Sequence, residues 1–282
     1  MSTTCYLANM LTTSLSPTVK LSDFVPQPTS LATLLFSILR TAFIMLVAEN
    51  PILWMIQQRW LNPQLDMEGP FYVVGSPNRQ IADGKAQIAS ISELKESTPF
   101  LFTFSVKDPK GDPIPNVRFQ WWQANSGGSY YHASYKLRGH FTTDAEGNAE
   151  VMTVRPGVYG PEGHKRAGHA HITMKDSAGN FKTLTTQAYV CTANNPSDLH
   201  PDIVNYLRSP RFSNVVRAWS IPSASNGQPL LDLPELSEED YDTMKKVDWW
   251  NTRLAESGCK MQIVGGGHMT YSMTPRTGFF GF

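Results

Sequence analysis

Residues 100–107 read "FLFTFSVK". In an extended chain Phe100, Phe102, Phe104 and Val106 fall on one side, and Leu101, Thr103, Ser105 and Lys107 on the other. A period of two marks a strand with one buried face. This stretch constrains the fold most, because the same pattern recurs down the chain. "PKGDPIP" is a turn written in Pro, Gly and Asp, and "NVRFQWWQAN" is a second strand with Val117, Phe119 and Trp121 on one face. "LRGHFTTD", "AEGN" and "AEVMTVRP" predict strand, tight turn, strand; "HAHITMKD", "SAGN" and "FKTLTTQAYV" repeat the plan. Short strands joined by polar turns predict a mainly β chain, with an antiparallel β-sandwich over residues 67–282. "HPDIVNYLRSP" reads as a short helix, and Ser237 before Glu238, Glu239 and Asp240 as a capped helix start. The close, "CKMQIVGGGHMTYSMTPRTGFFGF", returns one strand to the sheet before a tail.

Residues 1–66 have a different texture. The first thirty are rich in Ser and Thr and do not read as a secretory signal. In "LATLLFSILRTAFIMLVAENPILWM", residues 31–55, the positions Leu31, Leu34, Leu35, Ile38, Leu39, Phe43 and Leu46 follow helical spacing. Thr33, Ser37, Arg40 and Thr41 lie on the other side, and Glu49-Asn50-Pro51 ends the run. A membrane-spanning helix needs about 20 apolar residues. The segment is therefore read as a short helical region that packs against a partner subunit. The formal net charge is zero and no basic block stands out, which argues against nucleic acid as a partner. Cys5, Cys191 and Cys259 form neither a disulfide framework nor a zinc motif, as expected of a reduced, cytoplasmic protein.

"RAGHAH", Arg166 to His171, carries the first chemical signal. On a strand His169 and His171 share a face, with Ala170 opposite, so two imidazoles one pleat apart are able to chelate one ion. A carboxylate is the usual third ligand for ferrous iron. Asp176 lies five residues beyond His171, however, and should face the other way. Tyrosines are the other option: Tyr130 follows the glycine turn of "SGGSYYHAS", and Tyr159 sits in "RPGVYGPEG".

Taken together, "EGPFYVVGSP", "WWQANSGGSYY", "LRGHFTTDAEGNAEVMTVRPGVYG", "RAGHAHI" and "LTTQAY" resemble, in order, the intradiol ring-cleavage dioxygenases, most closely the catechol and hydroxyquinol 1,2-dioxygenase branch. The resemblance runs from about Glu68 to Tyr189. It implies a non-haem Fe(III) bound by Tyr130, Tyr159, His169 and His171, with Arg166 and Gln187 as catalytic partners of Tyr159. Pro70, Phe71 and Tyr72 are the candidates for lining the aromatic pocket. The resemblance further implies a homodimer formed through the N-terminal helix, with lipid held between subunits. Ala167 stands where the family usually has proline, and the loop from Tyr159 to His169 is shorter than in many relatives.

Such a ligand set suits the metal, since phenolate oxygens are hard anionic donors that favour Fe(III) over Fe(II). The implied reaction is ring opening of a catechol-type diol by O2 to a cis,cis-muconate-type product. In it Tyr159 takes a substrate proton, Arg166 stabilises negative charge and Gln187 holds it in place. Two other readings compete. Gly163, His169, His171 and Asp176 imitate a cupin metal motif, though position 183 is Thr where that motif needs Gly. A sandwich retained only as an interaction module is the second.

Overall fold

The computed structural model describes residues 19–50, 52–54, 61–222 and 230–276. Expectations that fall on residues 1–18, Cys5 among them, and on the tail from residue 277 lie outside the described residues. Among the described residues ten strands form two sheets: β1 (Gln80–Ala82), β2 (Lys85–Gln87), β3 (Pro99–Lys107), β4 (Val117–Gln123), β5 (Arg138–Thr142), β6 (Asn148–Val154), β7 (Gly168–Asp176), β8 (Leu184–Val190), β9 (Arg217–Ser220) and β10 (Gly265–Ser272). One sheet has the order β1-β2-β6-β3-β10-β9, the other β5-β4-β7-β8. The core between them is aromatic. Phe102 and Phe104 from β3 meet Trp121 from β4 edge-on, with ring centroids 5.3 and 5.9 Å apart, and Phe119 stacks on Phe141 at 5.1 Å. Burying rings of this size from both sheets accounts for much of the drive to close the sandwich.

The structure bears out the expected sandwich and refines its connections. The four-stranded sheet is antiparallel throughout. In the six-stranded sheet, β2 runs parallel to β6 and β10 parallel to β3, so the returning C-terminal strand enters alongside β3. β7 and β8 form the expected hairpin. β5 and β6 do not pair: the "DAEGN" turn carries the chain from one sheet to the other. Its Asp144 carboxylate accepts the backbone N–H groups of Glu146 and Asn148, which closes the turn without a strand ladder.

The α-helices that accompany the sheets include α1 (Leu31–Val47), α2 (Ile91–Glu96) and α3 (Tyr241–Glu256). α3 starts later than expected, capped by Asp240 rather than Ser237. Ser237 Oγ instead accepts the N–H of Glu239 in the preceding turn. The stretch around Ile203–Tyr206 is a 3-10 turn rather than an α-helix.

In α1, Ser37 and Thr41 are buried against the domain, whereas Leu31, Leu35, Ile38, Leu39, Phe43 and Leu46 are exposed. The apolar stripe thus faces away from the chain's own core. Among the described residues no helix is long and apolar enough to cross a membrane.

Candidate metal centre and catalytic site

The site lies on the outer face of the four-stranded sheet, and the strand register builds it. Arg138 pairs with Trp122, Trp122 with His171, and His171 with Gln187, so four side chains stand in a row across β5, β4, β7 and β8. One pleat along, His169 faces Tyr189. The opposite face of the same strands carries Trp121, Ala170, Ile172 and Ala188 into the core. A single alternation thus sends one set of side chains to the core and the other to the face that carries this row.

Two loops bring the tyrosines over this row. Gly157 N–H donates to Asn125 O at 2.9 Å, which joins the Tyr159 loop to the Tyr130 turn. The contact is too close for side chains: a Cβ on Gly157 would lie 2.3 Å from Ser126 O, and one on Gly128 2.5 Å from Val158 O. Gly128 also sits at φ +80°, a conformation that favours glycine. A short bridge between Tyr159 and Arg166 then returns the loop to the head of β7.

His169 Nδ1 lies 2.6 Å from Ala167 O, and a carbonyl only accepts. The proton is therefore on Nδ1, and the Nε2 lone pair points into the site. There it lies 3.2 Å from His171 Nε2 and 3.1 Å from the Tyr159 hydroxyl. Burial first, then the charge of Arg166, holds both imidazoles well below the usual histidine range, so both are neutral and fit to ligate. The Tyr130 ring meets Tyr159 edge-on at 5.4 Å and His171 at 6.2 Å. Its hydroxyl is buried and makes no hydrogen bond of normal geometry, with the Tyr159 side chain close by. Burial, and then the neighbouring Tyr159, pushes that hydroxyl well above the usual phenol range.

An orphaned buried phenol beside two imidazole Nε2 atoms 3.2 Å apart fits a cation, which would supply the missing partner and favour the phenolate. Two phenols and two imidazoles suit a ferric ion better than zinc or calcium. Among the described residues no three His, Cys, Asp or Glu side chains converge, so any set of three or more donors here includes the tyrosines. Asp176 takes no part: its carboxylate accepts the N–H groups of Ala178 and Asn180 and closes the β7–β8 turn. That removes the cupin-like reading.

Arg166 is 5% exposed and fully engaged. Its Nε donates to both carboxylate oxygens of Asp202 at 2.9 and 3.1 Å, Nη1 to the Tyr159 hydroxyl at 2.9 Å, and Nη2 to Gln187 Oε1 at 2.8 Å and the Tyr189 hydroxyl at 3.1 Å. Burial alone would lower its pKa, but Tyr189, Tyr159 and Asp202 outweigh that and keep it charged. Behind it Arg208 bonds Asp66 at 2.6 Å and approaches Asp202 at 3.7 Å, so two buried arginines face two buried aspartates.

Of the expected pocket residues, Phe71 stacks on Tyr130 at 4.3 Å, and Tyr72 meets Trp122 edge-on at 5.1 Å. Trp122 in turn lies flat on His171 at 5.0 Å. Pro70 is exposed. Sequence reasoning missed Trp122, Arg138, Tyr189, Asp202 and Arg208. Period-two alternation on the strands would have placed Tyr189 with Gln187 and set Trp122 opposite Trp121. Asp202 and Arg208 lie in turns that carry no periodic signal.

The family model described as "Dioxygenase" matches residues 67–211, just over half of the chain. Over 143 residues the chain is 33% identical to catechol 1,2-dioxygenase of Acinetobacter baylyi, covering 44% of this chain and 45% of that protein. It is 28% identical over 141 residues to hydroxyquinol 1,2-dioxygenase of Nocardioides simplex, covering 43% of this chain and 45% of that one. The match thus spans less than half the length of these relatives. Among solved structures, catechol 1,2-dioxygenase from an Acinetobacter species superposes with a TM-score of 0.56 at 18% identity, over 86% of this chain and 73% of that one. The 3-chlorocatechol 1,2-dioxygenase of Rhodococcus opacus gives 0.56 at 15% identity, over 86% of each chain. At these identities the structures speak for a shared fold.

Proposed function

Since the chain belongs to the intradiol ring-cleavage dioxygenases, in their catechol and hydroxyquinol branch, we propose that it opens a catechol-type diol with O2 between the two hydroxylated carbons, giving a cis,cis-muconate-type product. Membership implies a non-haem iron, and we assign Tyr130, Tyr159, His169 and His171 to hold it as Fe(III). The observation that carries this reading is the meeting of two imidazole Nε2 atoms with the Tyr159 oxygen and an orphaned Tyr130 hydroxyl, beside a buried arginine.

When bound, the iron supplies Lewis acidity and a route for electrons between diol and oxygen. The protein supplies the rest. Tyr159 Oη lies between the His169 Nε2 and the Arg166 guanidinium, whose charge favours the phenolate, the form able to take a substrate proton. Arg166 lies in a dry setting where its charge is weakly screened, and it stabilises negative charge developing on substrate oxygens. Gln187 fixes the guanidinium plane through Oε1 while its Nε2 donates to Met67 O at 2.8 Å. Phe71 and Tyr72 form an aromatic wall suited to a flat ring.

The exposed apolar stripe of α1 supports a homodimer through that helix, with acyl chains filling what the protomers leave open. Cys191 and Cys259 are free and buried, which supports a cytoplasmic setting.

Colour and oxygen uptake test the assignment. Tyrosinate-to-Fe(III) charge transfer should make the iron-loaded protein reddish, and oxygen uptake with a panel of catechols should track muconate absorbance. A colourless iron-loaded protein would remove the tyrosines from the metal. Colour without uptake of oxygen would refute the activity.

A further inference from the structure

α1 meets the domain through its polar residues, and all of these contacts fall on one short segment. Arg40 forms a two-point ion pair with Glu68, at 2.9 Å for its Nη2, and lies 4.4 Å over the ring of Tyr72. Just past the helix, the Glu49 carboxylate accepts the backbone N–H groups of Glu68 and Gly69. Ser37 Oγ accepts the N–H of Val74 at 3.2 Å. The segment they grip belongs to no strand, so these donors have no sheet ladder to satisfy them. From the other side the sandwich holds its carbonyls: Gln187 donates to Met67 O, and Arg138 to Phe71 O at 2.7 Å.

The gripped segment is the wall of the metal centre. A Cβ on Gly69 would lie 3.4 Å from His171 Cε1, Phe71 stacks on Tyr130, and Tyr72 abuts the Trp122 that covers His171. We infer that α1 is a clamp on this wall, and that Arg40, with Ser37 and Glu49, positions Glu68–Val74 and thereby sets which diols fit beside the metal. The helix has two faces with two tasks: the apolar one looks outward, and the polar one completes the site. Arg40 is a positioning residue, since it acts through Glu68 and Tyr72. The selectivity part of this inference rests on the diol-cleaving reading; the clamp itself does not.

Two readouts on the full chain separate these parts. Amide hydrogen exchange across residues 66–75 reports the clamp, and kcat and KM for catechol against a bulkier 4-substituted catechol report its consequence. Arg40→Met removes a charge-assisted pair, so exchange at Glu68, Gly69 and Val74 should rise roughly tenfold or more, with β7 and β8 unchanged. The preference between the two diols should shift severalfold, mainly in KM, and Arg40→Lys should restore part of both. Unchanged exchange would overturn the clamp, and faster exchange with an unchanged preference would overturn the positioning role. A wild type that cleaves neither diol would refute the proposed activity while exchange still decides the clamp. Where Arg40→Met does not fold, Ser37→Ala removes one tie and no charge; its Val74 amide should exchange faster, and an unaltered rate there would overturn the clamp.

Discussion

Asp202→Ala tests the buried charge network directly. Asp202 is 2% exposed; its carboxylate accepts from the buried Arg166 Nε at 2.9 and 3.1 Å and from the Val204 backbone N–H at 2.9 Å. Removing it leaves Arg166 and Arg208 facing each other with only Asp66 between them. Breaking a buried pair from one side typically costs about 3–5 kcal/mol, because the remaining charge has no compensation. Against a typical domain stability of about 5–15 kcal/mol, that is a large fraction. In a chain of this size each kcal/mol moves Tm by roughly 2–4 °C, so a drop on the order of 10 °C is expected. Asp232→Ala provides the comparison. Arg155–Asp232 is also a two-point pair, at 2.7 and 2.5 Å, but its side chains are 23% and 39% exposed. Water screens it, and about 1 kcal/mol or less should be lost. Scanning calorimetry on the two variants decides the matter. Equal shifts would refute the claim that burial, rather than the ion pair itself, makes the Arg166 network stabilising. In Asp202→Ala, turnover should fall further than the melting shift explains, since the guanidinium no longer has its orientation fixed toward Tyr159.

Three other outcomes are expected. Tyr159→Phe should weaken the red absorption and turnover together, measured by visible spectroscopy and oxygen uptake; unaltered colour and rate would take Tyr159 off the metal. Gly168→Ala places a Cβ 2.1 Å from Pro156 O, a backbone atom with little room to yield, so the loop carrying Tyr159 must shift; a loss of roughly 1–3 kcal/mol is expected by denaturant titration. Burial, with Glu68 and Asp66 adding repulsion, pushes the Glu49 carboxyl up from the ordinary 4.5 to about 7. A carboxyl raised by folding stabilises fully below its unfolded value and loses that contribution as pH rises through its folded one. Stability should therefore fall between about pH 4.5 and 7 by at most about 3 kcal/mol, and Glu49→Gln should flatten that slope in pH-dependent melts.

What the sequence revealed and what it concealed divide along physical lines. Period two is a local property, so His169, His171 and the core faces of β3 and β4 were readable without any tertiary knowledge. The two tyrosines were readable because the turns that carry them need glycine, and glycine is visible in a sequence. By contrast, strand partners depend on where the chain crosses between sheets. "FTTDAEGNAEV" is written like a hairpin, yet Asp144 closes its turn so well that the flanking strands are free to join different sheets. Asp202 and Arg208 were hidden for the same reason: each finds its partner across a long stretch of chain, at separations of 36 residues to Arg166 and 142 to Asp66. The α1 helix divides in the same way. Its boundaries followed from its periodicity, and an apolar surface this broad was readable as one that needs a cover beyond the chain's own core. Its attachment was not readable: the ion pair to Glu68 and the Ser37 and Glu49 contacts fix the helix by its polar side. A hydrophobic pattern records that a face is to be covered; which surface covers it is settled by the polar residues opposite, whose partners lie far along the sequence.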